Sequence, residues 1–282
     1  MFQNDLYFRR IGYTGPQAAT LDALTAVCTH HTATIVYENI DPLLGTAPKL
    51  ALPALQHKLL VQARGGYCYE QNLLLLHALT ALGMQVTPLV ARVVWMRPPD
   101  EAARPRSHML LQVGLPGTDP GPWIADVGFG GNLMGVPLRL EPGLVQRTPH
   151  NVMRITRDAD LYSMETQLPT GWAPMYRFTL EPQLAADYEP LNWFTATHPS
   201  SIFCHNLLME RLQPELRTSL FNDRLVLRRP HGPPVVRRIT APSEFDQVMA
   251  ERFGMHLPQP LLSALYERIP KGLDQFSVPA AG

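Results

Sequence analysis

Between Cys68 and Leu82 the leucines fall on every side of a helical wheel, and a pair of glycines stands just ahead of the run, in Arg64-Gly65-Gly66-Tyr67. A helix that is apolar all round offers no face to water, so it belongs inside the protein with other elements packed on every side. Gly83 supplies its C-terminal stop. The run is interrupted by His77 and Thr80 and falls short of the roughly 20 residues that span a bilayer. The rest of the chain must therefore be built around this one helix. Its 282 residues are enough for that, being about two domains' worth at roughly 150 residues each.

Up to about residue 86 the pattern stays helical, with Leu21, Leu24 and Cys28 at helical spacing and another turn or two over 57–62. Pro, Gly and Asp clusters then cut the chain into short β-type runs at 86–96, 108–115, 123–127, 152–156, 161–166 and 176–180. Such runs are the signature of an antiparallel sheet or a small barrel. The segment Pro98–Pro105 reads as a polar hairpin loop. Further on, runs at 216–221 and 225–229 flank Asn222-Asp223 as a hairpin. A helix is expected over 242–253, ending at Gly254, and a last one after Pro260. The expected fold class is α+β: helices, then a small barrel, then an α/β segment, with no internal repeat.

Composition narrows the class of function. Lys+Arg and Asp+Glu both number 24, so no global field draws the chain to nucleic acid or to an anionic membrane. A hydrophobic share of 45% against 17% charged is too apolar for intrinsic disorder. The three cysteines, 28, 68 and 204, form no CxxC pair, which argues against a disulfide framework and against a thiolate metal site. No basic segment followed by an apolar one opens the chain, so the expectation is a cytoplasmic enzyme without a bound metal.

The stretch Arg64-Gly65-Gly66-Tyr67-Cys68-Tyr69-Glu70-Gln71-Asn72 carries the most chemistry. A thiol at a helix N-terminus meets unpaired N–H groups and the positive end of the macrodipole, and both favour a thiolate held rigidly enough to act as a nucleophile. The competing reading is a buried structural cysteine, the commoner fate of this residue; Cys28, on the apolar face of a helix, reads that way. A nucleophilic thiolate needs a base, and the base needs an orienting group. Ten histidines and twelve aspartates leave that choice open. His108, which opens the run Met109-Leu110-Leu111, is one candidate base, or else an ordinary strand histidine. Asp126 ends Trp123-Ile124-Ala125 and precedes Val127-Gly128-Phe129-Gly130-Gly131. It is a candidate partner for an imidazolium, or else a turn former.

These motifs together resemble the arylamine N-acetyltransferase family, bacterial type. Arg64-Gly65-Gly66-Tyr67-Cys68-x-Glu70-x-Asn72 is similar to the family's RGG-aromatic-C-x-E-x-N box. Arg10-Ile11-Gly12-Tyr13, Ser107-His108, Asp126-Val127-Gly128-Phe129-Gly130 and Thr197-His198-Pro199-Ser200-Ser201-x-Phe203 match in the family's order. The resemblance implies an N-terminal helical bundle over 1–86, a central antiparallel β-barrel over 87–195 and a C-terminal α/β lid over 196–282, around a cysteine protease-like core. It also implies a Cys68–His108–Asp126 triad. Phe129 and Phe203, with Gly128 and Gly130, would meet the substrate. Arg64 would pair with Glu38 or Glu70. The family's Phe-Glu-Asn box stands here as Tyr37-Glu38-Asn39, a departure that keeps the aromatic body and adds a hydroxyl.

The implied activity is acetyl transfer from acetyl-CoA, a cosubstrate rather than a resident cofactor, to an aromatic amine or hydrazine by a ping-pong route through acetyl-cysteine. Arg224, Arg228, Arg229, Arg237 and Arg238 are candidates to meet the CoA phosphates, and Cys204 stands beside the pocket aromatic Phe203. Two other activities fit a Cys–His–Asp order: an amide synthase or other N-acyltransferase on the same fold, and a transglutaminase-like cysteine hydrolase. The Gly-Gly-x-Cys-x-Glu-x-Asn box argues against the hydrolase. Nucleic acid and membrane are not expected partners, and the oligomeric state is not legible.

Overall fold

Five helices precede the first long strand in the computed structural model, which describes residues 1–97, 102–117 and 121–274. They are α1 (Asn4–Ile11), α2 (Leu21–Thr34), α3 (Ile40–Leu43), α4 (Leu52–Gln56) and α5 (Cys68–Ala81). The two-residue strand β1 (Tyr37–Glu38) lies between α2 and α3. Thr20 caps α2 by accepting the Ala23 N–H. The turn expected over 57–62 continues α4 as a π-helical turn, His57–Val61. Helix α5 is the buried one: Tyr69, Leu74, Leu75, Ala78 and Leu79 are all sealed from solvent. Gly83 follows it in the left-handed conformation, φ +84°. The Pro98–Pro105 loop lies outside the described residues over 98–101.

Eight strands follow: β2 (Gln85–Val93), β3 (His108–Gly114), β4 (Trp123–Ala125), β5 (Leu138–Arg139), β6 (Val145–Arg147), β7 (Val152–Asp158), β8 (Leu161–Leu168) and β9 (Gly171–Phe178). They make one antiparallel sheet in the order β5-β4-β3-β2-β9-β8-β7-β6. Its two edges almost meet. The Gln146 amide accepts the Arg139 N–H at 2.8 Å and donates to the Arg139 carbonyl at 3.0 Å, standing in for a ladder pair and nearly closing a barrel.

Leu89, Ala91, Leu110, Ile124, Met153, Ile155, Met164 and Phe178 fill the interior. The outer face of β3 and β4, with Met109, Leu111, Val113 and Ala125, joins the cluster around Leu75 and Leu79 of α5. Strand β3 is thus buried on both faces, which is why its sequence is a continuous apolar run rather than an alternating one. Each such side chain contributes about 2 kcal/mol, and the seam holds helix and barrel in fixed register.

Beyond the barrel come α6 (Ala185–Thr197), β10 (Leu208–Gln213), β11 (Leu216–Phe221), β12 (Arg224–Arg228), β13 (Val235–Arg238), α7 (Pro242–Glu251) and α8 (Gln259–Arg268). The second sheet runs β1-β10-β11-β12-β13, so the N-terminal part of the chain contributes its edge strand. One face, with Met209, Leu220 and Leu225, packs on Phe245, Val248 and Leu265 of α7 and α8. Asn222 turns the expected hairpin with φ +52°. The sequence reading left out α6, where Pro190 interrupts a helical pattern, and the strands β1, β5, β6, β10 and β13. It ran β2 on to residue 96, whereas Met96 has φ +53° and the strand stops at Val93. Among the described residues no helix is long and apolar enough to cross a membrane.

Candidate active site

Cys68 is the first residue of α5 and is 3% exposed. His108 opens β3 opposite Ala91 of β2, and Asp126 follows the last residue of β4. The packing of α5 against β3 brings the three together. His108 Nε2 lies 2.7 Å from Asp126 Oδ2. That contact leaves Nδ1 as the ring nitrogen available to sulfur, and the Cys68 side chain acts on the imidazole as a hydrogen-bond partner. The Cys68 Sγ also sits 3.7 Å from the Ser107 carbonyl.

Asp126 is 2% exposed, and its carboxylate is saturated. Oδ2 accepts from His108 and from the Tyr176 hydroxyl at 2.9 Å. Oδ1 accepts from the Gly128 N–H at 2.9 Å and from Asn72 Nδ2 at 3.0 Å. Burial works against charge on His108, but the Asp126 carboxylate overrides it and raises the imidazole to about 10. Burial would likewise raise Asp126, and the His108 charge with the surrounding donors holds it below the usual carboxylate range. The pair is an imidazolium–carboxylate ion pair at neutral pH.

Two members of this network had no role in the sequence reading. Asn72 lies one helical turn after Cys68. It donates to the Met109 carbonyl at 2.7 Å as well as to Asp126, and its Oδ1 accepts the Val127 N–H at 3.1 Å. One amide thus ties the helix that begins at Cys68 to both strands that carry His108 and Asp126. Its place in the Gly-Gly-x-Cys-x-Glu-x-Asn box was the available signal. Tyr176 comes from β9, across the barrel, and nothing local distinguishes it from the other tyrosines.

Phe129 packs edge-on to His108 at 5.1 Å between ring centroids and lies 5.1 Å from Tyr176. Its flanking glycines allow close approach. A Cβ on Gly128 would stand 2.7 Å from the Cys68 Cα, and one on Gly130 would enter the Tyr37 ring. The loop is pinned from the second sheet by Glu210, which accepts the Gly131 N–H at 2.5 Å and the Leu133 N–H at 3.2 Å. Arg217 backs it, donating to Asn132 and to the Leu133 carbonyl, both at 2.9 Å. Phe203 is half-buried and edge-on to Tyr67 at 6.0 Å. Cys204 directs its thiol to the Ala196 carbonyl at 3.2 Å. Cys28 is in the core, where burial pushes its thiol up to about 12.

Of the two carboxylates open to Arg64, the guanidinium takes Glu38, at 2.9 Å, together with Asp41 at 2.8 Å. Glu70 has a different cation. Lys58, on the π-helical turn, lies 2.7 Å from both Glu70 and Asp41. Burial pushes the Glu70 carboxyl up to about 7 against the pull of Lys58. Glu70 also accepts the Tyr67 N–H at 3.2 Å, which caps the helix start beside Cys68. Among the candidate phosphate ligands, Arg224 and Arg238 are engaged with Asp274 and Asp223, and Arg237 with Glu244.

Cys–His–Asp constellations serve hydrolysis and acyl transfer alike, so likeness to known proteins decides between them. Residues 20–262 match the N-acetyltransferase family. The arylamine N-acetyltransferase of Mycolicibacterium smegmatis is 38% identical over 269 residues, covering 95% of this chain and 97% of that protein. This chain belongs to the arylamine N-acetyltransferase family. Another family member, from Escherichia coli strain K12, is 41% identical over 209 residues, 74% of this chain and 73% of that one. The solved structure of the Mycobacterium marinum arylamine N-acetyltransferase in complex with CoA superposes with a TM-score of 0.89 at 33% identity, over 95% of this chain and 100% of that one. The family's mixed helix-and-sheet architecture, with its nearly closed eight-stranded barrel, is the fold described above.

Proposed function

We propose that this family member moves the acetyl group of acetyl-CoA to an aromatic amine or hydrazine in two half-reactions through acetyl-Cys68. The enzyme is an acetyltransferase, and acetyl-CoA is its cosubstrate. The observation that carries the two-step reading is the buried Cys68–His108–Asp126 array.

In the first half-reaction the Cys68 thiolate attacks the thioester carbonyl. The tetrahedral intermediate collapses with loss of the CoA thiolate, which takes the proton from His108. Backbone N–H groups at the start of α5 face the developing oxyanion. In the second, the unprotonated amine nitrogen attacks the acetyl-cysteine carbonyl, and the intermediate collapses with cleavage of the C–S bond, releasing the amide and the Cys68 thiolate. His108 accepts the proton that nitrogen sheds, and Asp126 fixes the tautomer and stabilises the imidazolium. Phe129 and Phe203, with Gly128 and Gly130, form the wall against which an aryl ring packs. Arg228 and Arg229, which make no ion pair among the described residues, are the cations we assign to the CoA phosphates.

On this reading the segment 1–86 supplies the nucleophile, 87–195 supplies the base and its partner, and 196–282 covers the site. Arg64, Glu38 and Glu70 act as structural support for the turn before Cys68. Initial rates measured with acetyl-CoA and an arylamine varied together should give parallel double-reciprocal lines. Intersecting lines mean a ternary complex and refute the relay. Cys68→Ala should abolish transfer while the circular dichroism spectrum and melting are retained; persistent turnover removes Cys68 from the mechanism.

A further inference from the structure

The loop that brings Phe129 to His108 is poorly equipped to hold its own shape. Four of its ten residues from Asp126 to Gly135 are glycines, 128, 130, 131 and 135, and glycine loses more backbone freedom on ordering than any other residue. Its outer half is fixed from the second sheet. Glu210 of β10 is 1% exposed and accepts the Gly131 and Leu133 N–H groups, on either side of Asn132. Arg217 of β11 is 5% exposed, with its Nε 3.3 Å from Glu210 and its terminal nitrogens donating to the Asn132 side chain and the Leu133 carbonyl. The pairing of the strands sets the two side by side: Arg217 faces Leu212, which is two residues along the same face of β10 from Glu210.

Asn132 passes this grip to the site. Its N–H donates to the Phe129 carbonyl at 3.2 Å, so the residue whose neighbours are held by Glu210, and whose amide is held by Arg217, holds Phe129 in turn. An acceptor nitrogen that gives its proton to His108 must come within about 3 Å of the imidazole. The group it carries then lies beside the Phe129 ring, whose centre is 5.1 Å from that of the imidazole. A buried pair of charges is by itself a weak source of stability; what this pair supplies is geometry. Two N–H groups converging on one side chain need two acceptor oxygens, which a carboxylate has and an amide lacks.

We propose that Glu210 and Arg217 are positioning residues for acceptor recognition: through Asn132 they hold Phe129 where the aryl group of the acceptor meets it, and so set the preference for aryl over non-aryl acceptors. This rests on the placing of Phe129 in the acceptor wall, given above.

The test discharges the preformed acetyl-enzyme with phenylhydrazine and with hydrazine, which present the same attacking group with and without a ring. The ratio of second-order discharge rates, phenylhydrazine over hydrazine, should fall about tenfold in Glu210→Gln, the scale of one hydrogen bond to a charged group, while the hydrazine rate is kept. An unchanged or raised ratio overturns the proposal; both rates falling together would show that Glu210 serves the fold alone. Phe129→Leu should lower the same ratio, and adding Glu210→Gln to it should lower it no further, because the pair acts only through that ring. Additive losses would mean that Glu210 acts by another route. A ratio unmoved by Phe129→Leu would count against the acceptor-wall reading itself, and failure of the wild type to form acetyl-enzyme against the acetyl-transfer reading, before any acceptor is added. If Glu210→Gln does not fold, Asn132→Ala, which releases the loop from Arg217 and leaves the Glu210–Arg217 pair in place, should lower the ratio about threefold; no change there overturns the proposal equally.

Discussion

Replacing Asp126 by Asn tests the site where its geometry is most exacting. Four donors converge on this carboxylate: His108, Tyr176, Asn72 and the Gly128 N–H. An amide has one oxygen. If that oxygen keeps Gly128 and Asn72, the NH2 group faces His108 Nε2 and Tyr176. The Tyr176 hydroxyl can rotate to accept. His108 accepts only by moving its proton to Nδ1, the nitrogen on the sulfur side, where it can no longer take a proton from the attacking amine. The counter-charge is lost as well. Burial lowers His108, and Asp126, with Cys68 behind it, overcomes that and raises it from 6.5 to about 10; at about 1.4 kcal/mol per decade the net is roughly 5 kcal/mol of imidazolium stabilisation, most of it owed to Asp126. Both groups are fully buried, so little of it is screened. The expected fall in kcat/KM lies between about 10³ and 10⁴, comparable to the same change in serine-protease triads. CoA release measured with arylamine in excess reads it, and iodoacetamide alkylation of Cys68 at neutral pH should slow in parallel. Activity within tenfold of wild type, in a variant that still melts cooperatively, would show that Asp126 does not orient the base.

Three further outcomes follow from the same contacts. Because His108 is raised in the fold, the ion pair's contribution to stability is complete below its unfolded value of about 6.5 and is lost as pH rises through about 10. Acetyl-enzyme formation should decline over that upper range, and a midpoint near 6.5 would contradict the assignment. Lys58→Met strands the Glu70 carboxylate and leaves Asp41 only Arg64, so the variant should lose about 3–5 kcal/mol in urea unfolding at alkaline pH. Glu70 already sits near 7 with Lys58 present; without the lysine its folded value rises further, so the deficit should shrink as pH falls and the carboxyl protonates. A deficit independent of pH refutes that cause. Gly128→Ala places a methyl 2.7 Å from the Cys68 Cα, a backbone atom that cannot yield. A loss of about 1–3 kcal/mol in stability together with lower activity is expected; an unaffected enzyme would mean that the loop has room to spare.

How far the candidate site and the fold were legible in the sequence had physical reasons that differ from residue to residue. Cys68 was legible because a glycine pair followed by an all-round apolar helix has few meanings. His108 and Asp126 became distinct only through the order of the family motifs; strand position alone left ten histidines and twelve aspartates in contention. Glu38 and Glu70 were both visible as partners for Arg64, but the choice depended on the π-helical turn that carries Lys58 between Asp41 and Glu70, which has no signature in the sequence. Tyr176 and Glu210 reach the site across strand pairings distant in sequence, from β9 and β10, and such register is set by tertiary packing. Helix α6 was hidden by Pro190. Strands β6 and β13 are short, and β13, at the sheet edge, is largely exposed, while β10 is buried over most of its length, Glu210 included, so hydrophobic alternation had little to mark in any of them.

The most direct measurement is intact-mass spectrometry of the purified protein mixed with acetyl-CoA, followed by addition of an arylamine and peptide mapping of the adduct. A single acetyl group on Cys68, formed without amine and discharged on adding it, is the predicted result. An unmodified protein that nonetheless acetylates the amine, or an adduct on Cys28 or Cys204 instead, would contradict the covalent relay through Cys68.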